Sequence, residues 1–453
     1  MPFDRFAIIE STLREGEQFS TATFTTAQKI EIATMLDDFG VEMIEMTSPV
    51  ASPQSAADVR AVVGLGLNAR ILTHIRCKRE DAMQALETGV HGVDIVIGTS
   101  PQLMQHSHGK SVRQIIDSAL DVLTFVREQK PDVILRFSTE DSFRSKESDL
   151  LRVYLAVADS GLVDRLGVAD TVGIATPSRT FELVHQLVRL TGLDIEFHGH
   201  NDSCCAVANA TAALEAGATH IDTTILGIGE RNGITPLGGL IARLYTLNRD
   251  YVAKYNLPLL PQLDALISRL CDLPIPFNNT ITGSSAFIHK AGIHAKAVLA
   301  DPTTYEAINP GDFGLSREIA IGHRLTGWNA IRDRAAVLGL AIDDATIQDV
   351  TRVIKARADE RPMTGAEIDA LLREAAGATL TPGPSPSGGE GERASRVPDF
   401  PEGYSSSEKP ERTFSHNADL SPDCEPNPPL PDDQREHRRS GEGLGVRVNG
   451  VRA

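Results

Sequence analysis

VDIVIGTSPQLMQHSHGKSVRQIIDSALDVLTFVREQKPDVILRFSTED, residues 93–141, holds one full copy of the pattern that decides the fold. It opens with a β-branched run (93–100), crosses a long amphipathic stretch (111–130) and returns to a second β-branched run (133–141). Within SVRQIIDSALDVLTFVREQK the apolar residues recur at three- and four-residue steps, the period of a helix with one buried face. The flanking runs are short and rich in Val and Ile, which suit a pleated strand. Strand, helix and strand in this order predict a parallel βαβ unit.

Outward from this stretch the unit recurs. Strand-like runs fall at 6–11, 42–48, 69–76, 93–100, 133–141, 165–171, 194–201 and 221–229, and helical patterns such as 25–40 and 204–217 lie between them. Eight such units in about 250 residues predict an α/β protein built on a closed (β/α)8 TIM barrel rather than an open doubly wound sheet. The expected organisation is a barrel over 1–255 and a small, mostly helical region over 256–376. A tail over 377–453 holds 11 of the 25 prolines. Its few aliphatic residues cannot offset the entropy of ordering, so disorder is expected there.

The 453 residues carry 44 Lys+Arg against 61 Asp+Glu, a net charge of −17. That balance argues against nucleic-acid or anionic-membrane partners, so an anionic substrate needs a few local cations or a metal. No apolar run approaches the ~20 residues of a membrane span, and the opening MPFDRFAIIES does not read as a secretory leader. Five cysteines without framework spacing point to a reducing, cytoplasmic setting.

Functional residues of such a barrel lie at the C-terminal strand ends. There the sequence places Arg14, Glu15 and Gln18 after the first strand, His74 on the third and Asp94 on the fourth. Arg136, Ser138 and Glu140 alternate on the fifth strand, Asp170-Thr171 end the sixth, and Glu196, His198 and His200 alternate on the seventh. Alternation puts each set on one face. His198 and His200 with Glu15 form a candidate two-His, one-carboxylate site for a divalent cation. Such a site would grip a 2-oxo acid and polarise its carbonyl, with Arg14 bracing the same oxygens. Arg136, Ser138 and Thr171 offer a second anion site, since a guanidinium fork matches a carboxylate. The alternative for Arg136 is a structural pair with Glu140 or Asp170. The run from Gly227 to Gly233 is one residue too long for a dinucleotide loop and reads as tight turning near a ligand. Cys204-Cys205, with no base beside it, reads as buried packing.

Together STLREGEQF (11–19), LTHIRC (72–77), RFSTEDSFRS (136–145), HGHND (198–202), LGIGERNGITPLGG (226–239) and HKAGIHAKA (289–297) resemble the homocitrate synthases of lysine biosynthesis. These are metal-dependent, Claisen-condensing TIM-barrel enzymes related to isopropylmalate synthase and hydroxymethylglutaryl-CoA lyase. The resemblance runs from about residue 5 to 376. It implies condensation of acetyl-CoA with 2-oxoglutarate and thioester hydrolysis to homocitrate and CoA, with Mg, Mn or Zn held by Glu15, His198 and His200. It further implies that Arg14 and Gln18 meet the keto-acid end and that Arg136, Ser138 and Thr171 hold the distal carboxylate. His74 would shape the pocket, while Glu140, His294 and Tyr305 would serve proton transfer. Asp94 and Glu196 match positions for lysine as feedback inhibitor, and a homodimer would bring the second region over the partner's barrel. One departure stands out: Ser203-Cys204-Cys205 replaces the usual Thr-Gly-Cys, which removes backbone freedom beside the metal strand. An isopropylmalate- or citramalate-type synthase, and a metal-binding barrel without catalysis, are the rival readings.

Overall fold

The computed structural model describes Phe3 and residues 5–377. Eight parallel strands close into a barrel in chain order. They are β1 (Ala7–Glu10), β2 (Met43–Met46), β3 (Arg70–Arg76), β4 (Gly92–Val96), β5 (Ile134–Thr139), β6 (Arg165–Asp170), β7 (Asp194–Gly199) and β8 (His220–Thr223). Each falls on one expected run, though β8 ends at Thr223 where the run was expected to reach 229. The helices between them start and stop at local signals. Thr25 and Ser111 each form a capping box with the Gln three residues on, and Pro177 opens its helix behind Thr176. Helix Val112–Gln129 turns Ile115, Ala119, Val122, Leu123 and Val126 into the core. Each of the larger ones contributes roughly 1.5–3 kcal/mol by burial.

Strand register sets the levels inside the barrel. Ser138 stands beside Gly167 and Gly167 beside Glu196, while one pleat nearer the mouth Ala169 stands beside His198. The interior is far from aliphatic. Arg14, Arg136 and Arg165 are buried there among Glu45, Asp94, Glu196 and Asp222. A lattice of this kind costs desolvation, and where a carboxylate lies directly against a guanidinium, as Glu45 and Glu196 do, removing it strands a buried charge.

The barrel's outer layer extends past residue 255. Leu260, Leu263, Leu266 and Ile267 of helix Leu260–Leu270 belong to the barrel's hydrophobic core, as do Ile281 and Phe313. The barrel layer therefore continues past residue 255, with the apolar face of this helix turned into the barrel's core. Beyond it, Ile288–His289 pairs with Glu318–Ile319, helix Gly292–Ala300 follows the first of these strands, and three helices (Trp328–Val337, Asp344–Ala358, Gly365–Ala375) enclose a second small core. The expectation of disorder for the tail lies outside the described residues from 378 onward. Among the described residues no helix is long and apolar enough to cross a membrane.

Candidate active site

At the C-terminal mouth of the barrel lies a cleft of about 170 Å³. Its walls include Arg14, Glu15, Gln18, His74, Asp94, Ser138, Glu140, Thr171, Glu196, His198 and His200, contributed by six different strands and their loops. Side chains from Arg14 to His200 thus face one space, which strand alternation and barrel closure together require.

Glu15, His198 and His200 each offer a ligand atom within 4.8 Å of the others. His198 Nε2 lies 3.4 Å from His200 Nε2, and the two lie 4.0 and 3.9 Å from Glu15 oxygens. Each ligand atom is aimed by a partner behind it. His198 Nδ1 donates to Asp222 Oδ2 at 2.9 Å and His200 Nδ1 donates to the Gly233 carbonyl at 3.1 Å, leaving both Nε2 atoms facing the gap. Glu15 accepts from Glu230 N–H at 2.9 Å and from Arg14 Nη1 at 2.7 Å. Burial, with Arg14 close by, pulls the His198 imidazole down to about 4, and burial beside His198 does the same for His200, so both are neutral with free lone pairs. Burial pushes the Glu15 carboxyl up, yet the Arg14 guanidinium and the Glu230 N–H outweigh it and keep the group ionised. Two neutral imidazoles and a carboxylate around one gap, each oriented from behind, are a donor set that fits a divalent cation.

The loop 225–233 supplies two of those orienting groups, and its backbone is strained to do so. Leu226 and Arg231 sit at φ 58° and 56°, which only glycine adopts freely. A Cβ on Gly229 would stand 2.8 Å from Glu15 Oε1, so only glycine lets the loop close on the carboxylate. Arg231 locks the loop by donating to both Asp202 oxygens and to the Thr171 carbonyl. The sequence reading of this run as tight turning near a ligand describes this geometry; it missed Asp222, whose only signal was alternation on β8.

Several candidates sit differently from expectation. Arg136 does not line the cleft. It is 1% exposed beneath the floor, where Nη1 donates to Glu196 at 2.9 Å and Nη2 to Glu45 at 2.7 Å, with Asp94 at 3.3 Å. Three carboxylates in a desolvated interior claim the guanidinium, so the expected direct hold on a distal carboxylate is corrected. Nor does it pair with Glu140 or Asp170. Instead it fixes Glu196 and Asp94, which do line the cleft. Glu140 lines the cleft with no ion pair among the described residues, and burial beside Asp94 pushes its carboxyl up. His74 is pulled down to about 4 by burial. His294 and Tyr305 lie apart from the cleft of their own chain, both exposed, with ring centroids 4.3 Å apart. Cys204 is exposed rather than buried, at φ 61°, the left-handed conformation that a glycine would adopt without cost.

Two family models cover most of the described chain: HMGL-like over residues 5–267, and the homocitrate synthase post-HMGL domain-like model over 281–362. A mitochondrial homocitrate synthase of Penicillium rubens is 57% identical over 370 residues, 82% of this chain and 77% of that protein. The mitochondrial homocitrate synthase of Schizosaccharomyces pombe is 56% identical over 82% of this chain and 88% of its own. The cytosolic isozyme of Saccharomyces cerevisiae is 52% identical over 84% and 88%. Among solved structures, hydroxymethylglutaryl-CoA lyase from Pseudomonas aeruginosa superposes with a TM-score of 0.52 at 20% identity, covering 66% of this chain and 99% of that one, a likeness of fold alone. The oriented two-His, one-carboxylate cluster in a barrel mouth and identity above one half across both regions lead to one conclusion: the chain belongs to the homocitrate synthase family.

Proposed function

We propose that the cleft condenses acetyl-CoA with 2-oxoglutarate and then hydrolyses the thioester, releasing homocitrate and CoA for lysine biosynthesis. The observation that carries this reading is the oriented Glu15–His198–His200 cluster sharing one cleft with Arg14 and the raised carboxyl of Glu140. A divalent metal held by those three side chains would polarise the keto carbonyl and steady the oxygen as it gains charge. Arg14 donates toward the same oxygens and Gln18 hydrogen-bonds the keto-acid end. Ser138 meets the distal carboxylate and Arg136 holds the floor on which that end rests; Thr171, expected to share that contact, follows Asp170, which registers with Gly199, and so stands nearer the keto-acid end. His74, neutral, offers a hydrogen bond without a competing charge. Proton removal from the acetyl methyl needs a base positioned against it. Glu140, with a raised carboxyl, suits that transfer. His294 and Tyr305 assist it from the partner of a homodimer, which agrees with their absence from the cleft of their own chain.

In the condensation the methyl carbon loses a proton and bonds to C2 of the keto acid, and the keto oxygen becomes a hydroxyl. Water then displaces CoA from the thioester. Asp94 and Glu196, two carboxylates on one side of the cleft, would accept the ammonium of lysine and so couple end product to activity. A cytoplasmic location is supported by the free cysteines and by the cytosolic relative; the mitochondrial relatives point the other way. The rival isopropylmalate or citramalate reading loses to the named relatives, all of them homocitrate synthases. The test is thiol release from acetyl-CoA across a panel of keto acids. Release with 2-oxoglutarate far above that with 2-oxoisovalerate is expected, and the reverse order would overturn the substrate assignment.

A further inference from the structure

One position on the cleft floor acts through the side chain it lacks. Gly167 lies in β6 between Ser138 of β5 and Glu196 of β7, and all three line the cleft. Gly167 is not among the glycines at positive φ, so backbone conformation gives no reason for glycine here. Space does. A Cβ on Gly167 would stand 1.9 Å from Ser138 Oγ and 2.9 Å from Ser138 Cβ.

Neither side of that collision can yield cheaply. Ser138 Oγ donates to Asp94, 2.8 and 2.9 Å from its two oxygens, so turning it away leaves buried acceptors unmatched. The backbone of β6 is pinned from outside: the buried Tyr154 hydroxyl donates to the Gly167 carbonyl at 2.6 Å and meets Thr139 Oγ1 on β5 at 2.5 Å. The level of Gly167 also matters. It registers with Glu196, two residues before His198 on β7, and so lies about 6.6 Å of strand rise deeper than that metal-ligand candidate. A ligand anchored by its keto end at the level of His198 and extending inward ends against Gly167.

We infer that Gly167 is a specificity-determining position: its missing side chain sets the depth of the cleft and makes room for the far carboxylate of a five-carbon oxo diacid. This rests on the 2-oxoglutarate reading, whose own test is turnover by the unaltered enzyme; the test here is binding. Dissociation constants of 2-oxoglutarate and of the shorter oxaloacetate are measured by calorimetry on metal-loaded enzyme and on Gly167→Ala. The variant is expected to bind 2-oxoglutarate at least ten-fold more weakly while oxaloacetate changes less than three-fold. Unchanged binding of both, or equal loss of both, overturns the inference. Should Gly167→Ala fail to fold, Ser138→Gly with and without Gly167→Ala replaces it, because the nearest remaining contact is then the residue 138 Cα at 3.4 Å. The added methyl is expected to move the ratio of the two constants in the same direction, and identical ratios overturn the inference.

Discussion

Asp222→Ala removes the carboxylate that accepts the His198 Nδ1 proton at 2.9 Å. Partners behind a metal-ligating imidazole typically govern 10–100-fold in metal affinity, or about 1.4–2.7 kcal/mol at about 1.36 kcal/mol per decade. The upper part of that range is expected here. Asp222 is 2% exposed and also stands 4.0 Å from Arg14 Nη2, so its loss disturbs two groups of the site at once. Folding should respond in the opposite sense. Burial, with Glu45 nearby, pushes the Asp222 carboxyl up to about 7, and its Oδ1 has no hydrogen-bond partner among the described residues. The metal-free barrel thus carries this group at a cost, and its loss should leave the melting temperature near or above that of the unaltered protein. Asp222→Asn keeps an acceptor for His198 but no charge, and should fall between. Chelator-stripped protein titrated with Mn or Zn in a calorimeter, together with melting curves of the stripped protein, reads both quantities. An Ala variant that binds metal as tightly as the unaltered protein would refute the orienting role of Asp222.

His200→Ala is expected to lose metal binding and turnover together, measured by metal content after dialysis and by thiol release; full turnover in a metal-free variant would remove the cluster from the chemistry. Asp264, in helix Leu260–Leu270, is buried with its carboxyl pushed up to about 7 by burial, accepting from Thr282 while its other oxygen has no partner among the described residues. A raised carboxyl contributes stability that is full below its unfolded value near 4 and is lost as pH rises through 7. Asp264→Asn should therefore match the unaltered protein near pH 4 and exceed it at pH 8, by on the order of 4 kcal/mol. Equal melting temperatures for the two proteins at pH 8 would contradict this.

Strand and helix periods, and the residues at strand ends, were legible without coordinates because they are local properties. Alternation placed His198 and His200 on one face, and the count of βαβ units closed the barrel. The end of the barrel layer was not legible: helix Leu260–Leu270 shows an amphipathic pattern, but its period cannot say which core receives that face. Arg136 illustrates the same limit in the site. The sequence marked a buried-facing guanidinium near candidate acids, yet which carboxylates would claim it depended on distances between strands β2, β4, β5 and β7.

The sequence by itself thus determined a (β/α)8 barrel, its acidic character and the three side chains able to hold a cation, since each follows from residue type and period. Only the tertiary structure decided what stands behind them. Asp222, the Glu230 N–H and the Gly233 carbonyl orient the ligands, and Gly167 leaves the floor open. Those relations join atoms far apart along the chain, where closure and register set distances that no local pattern encodes.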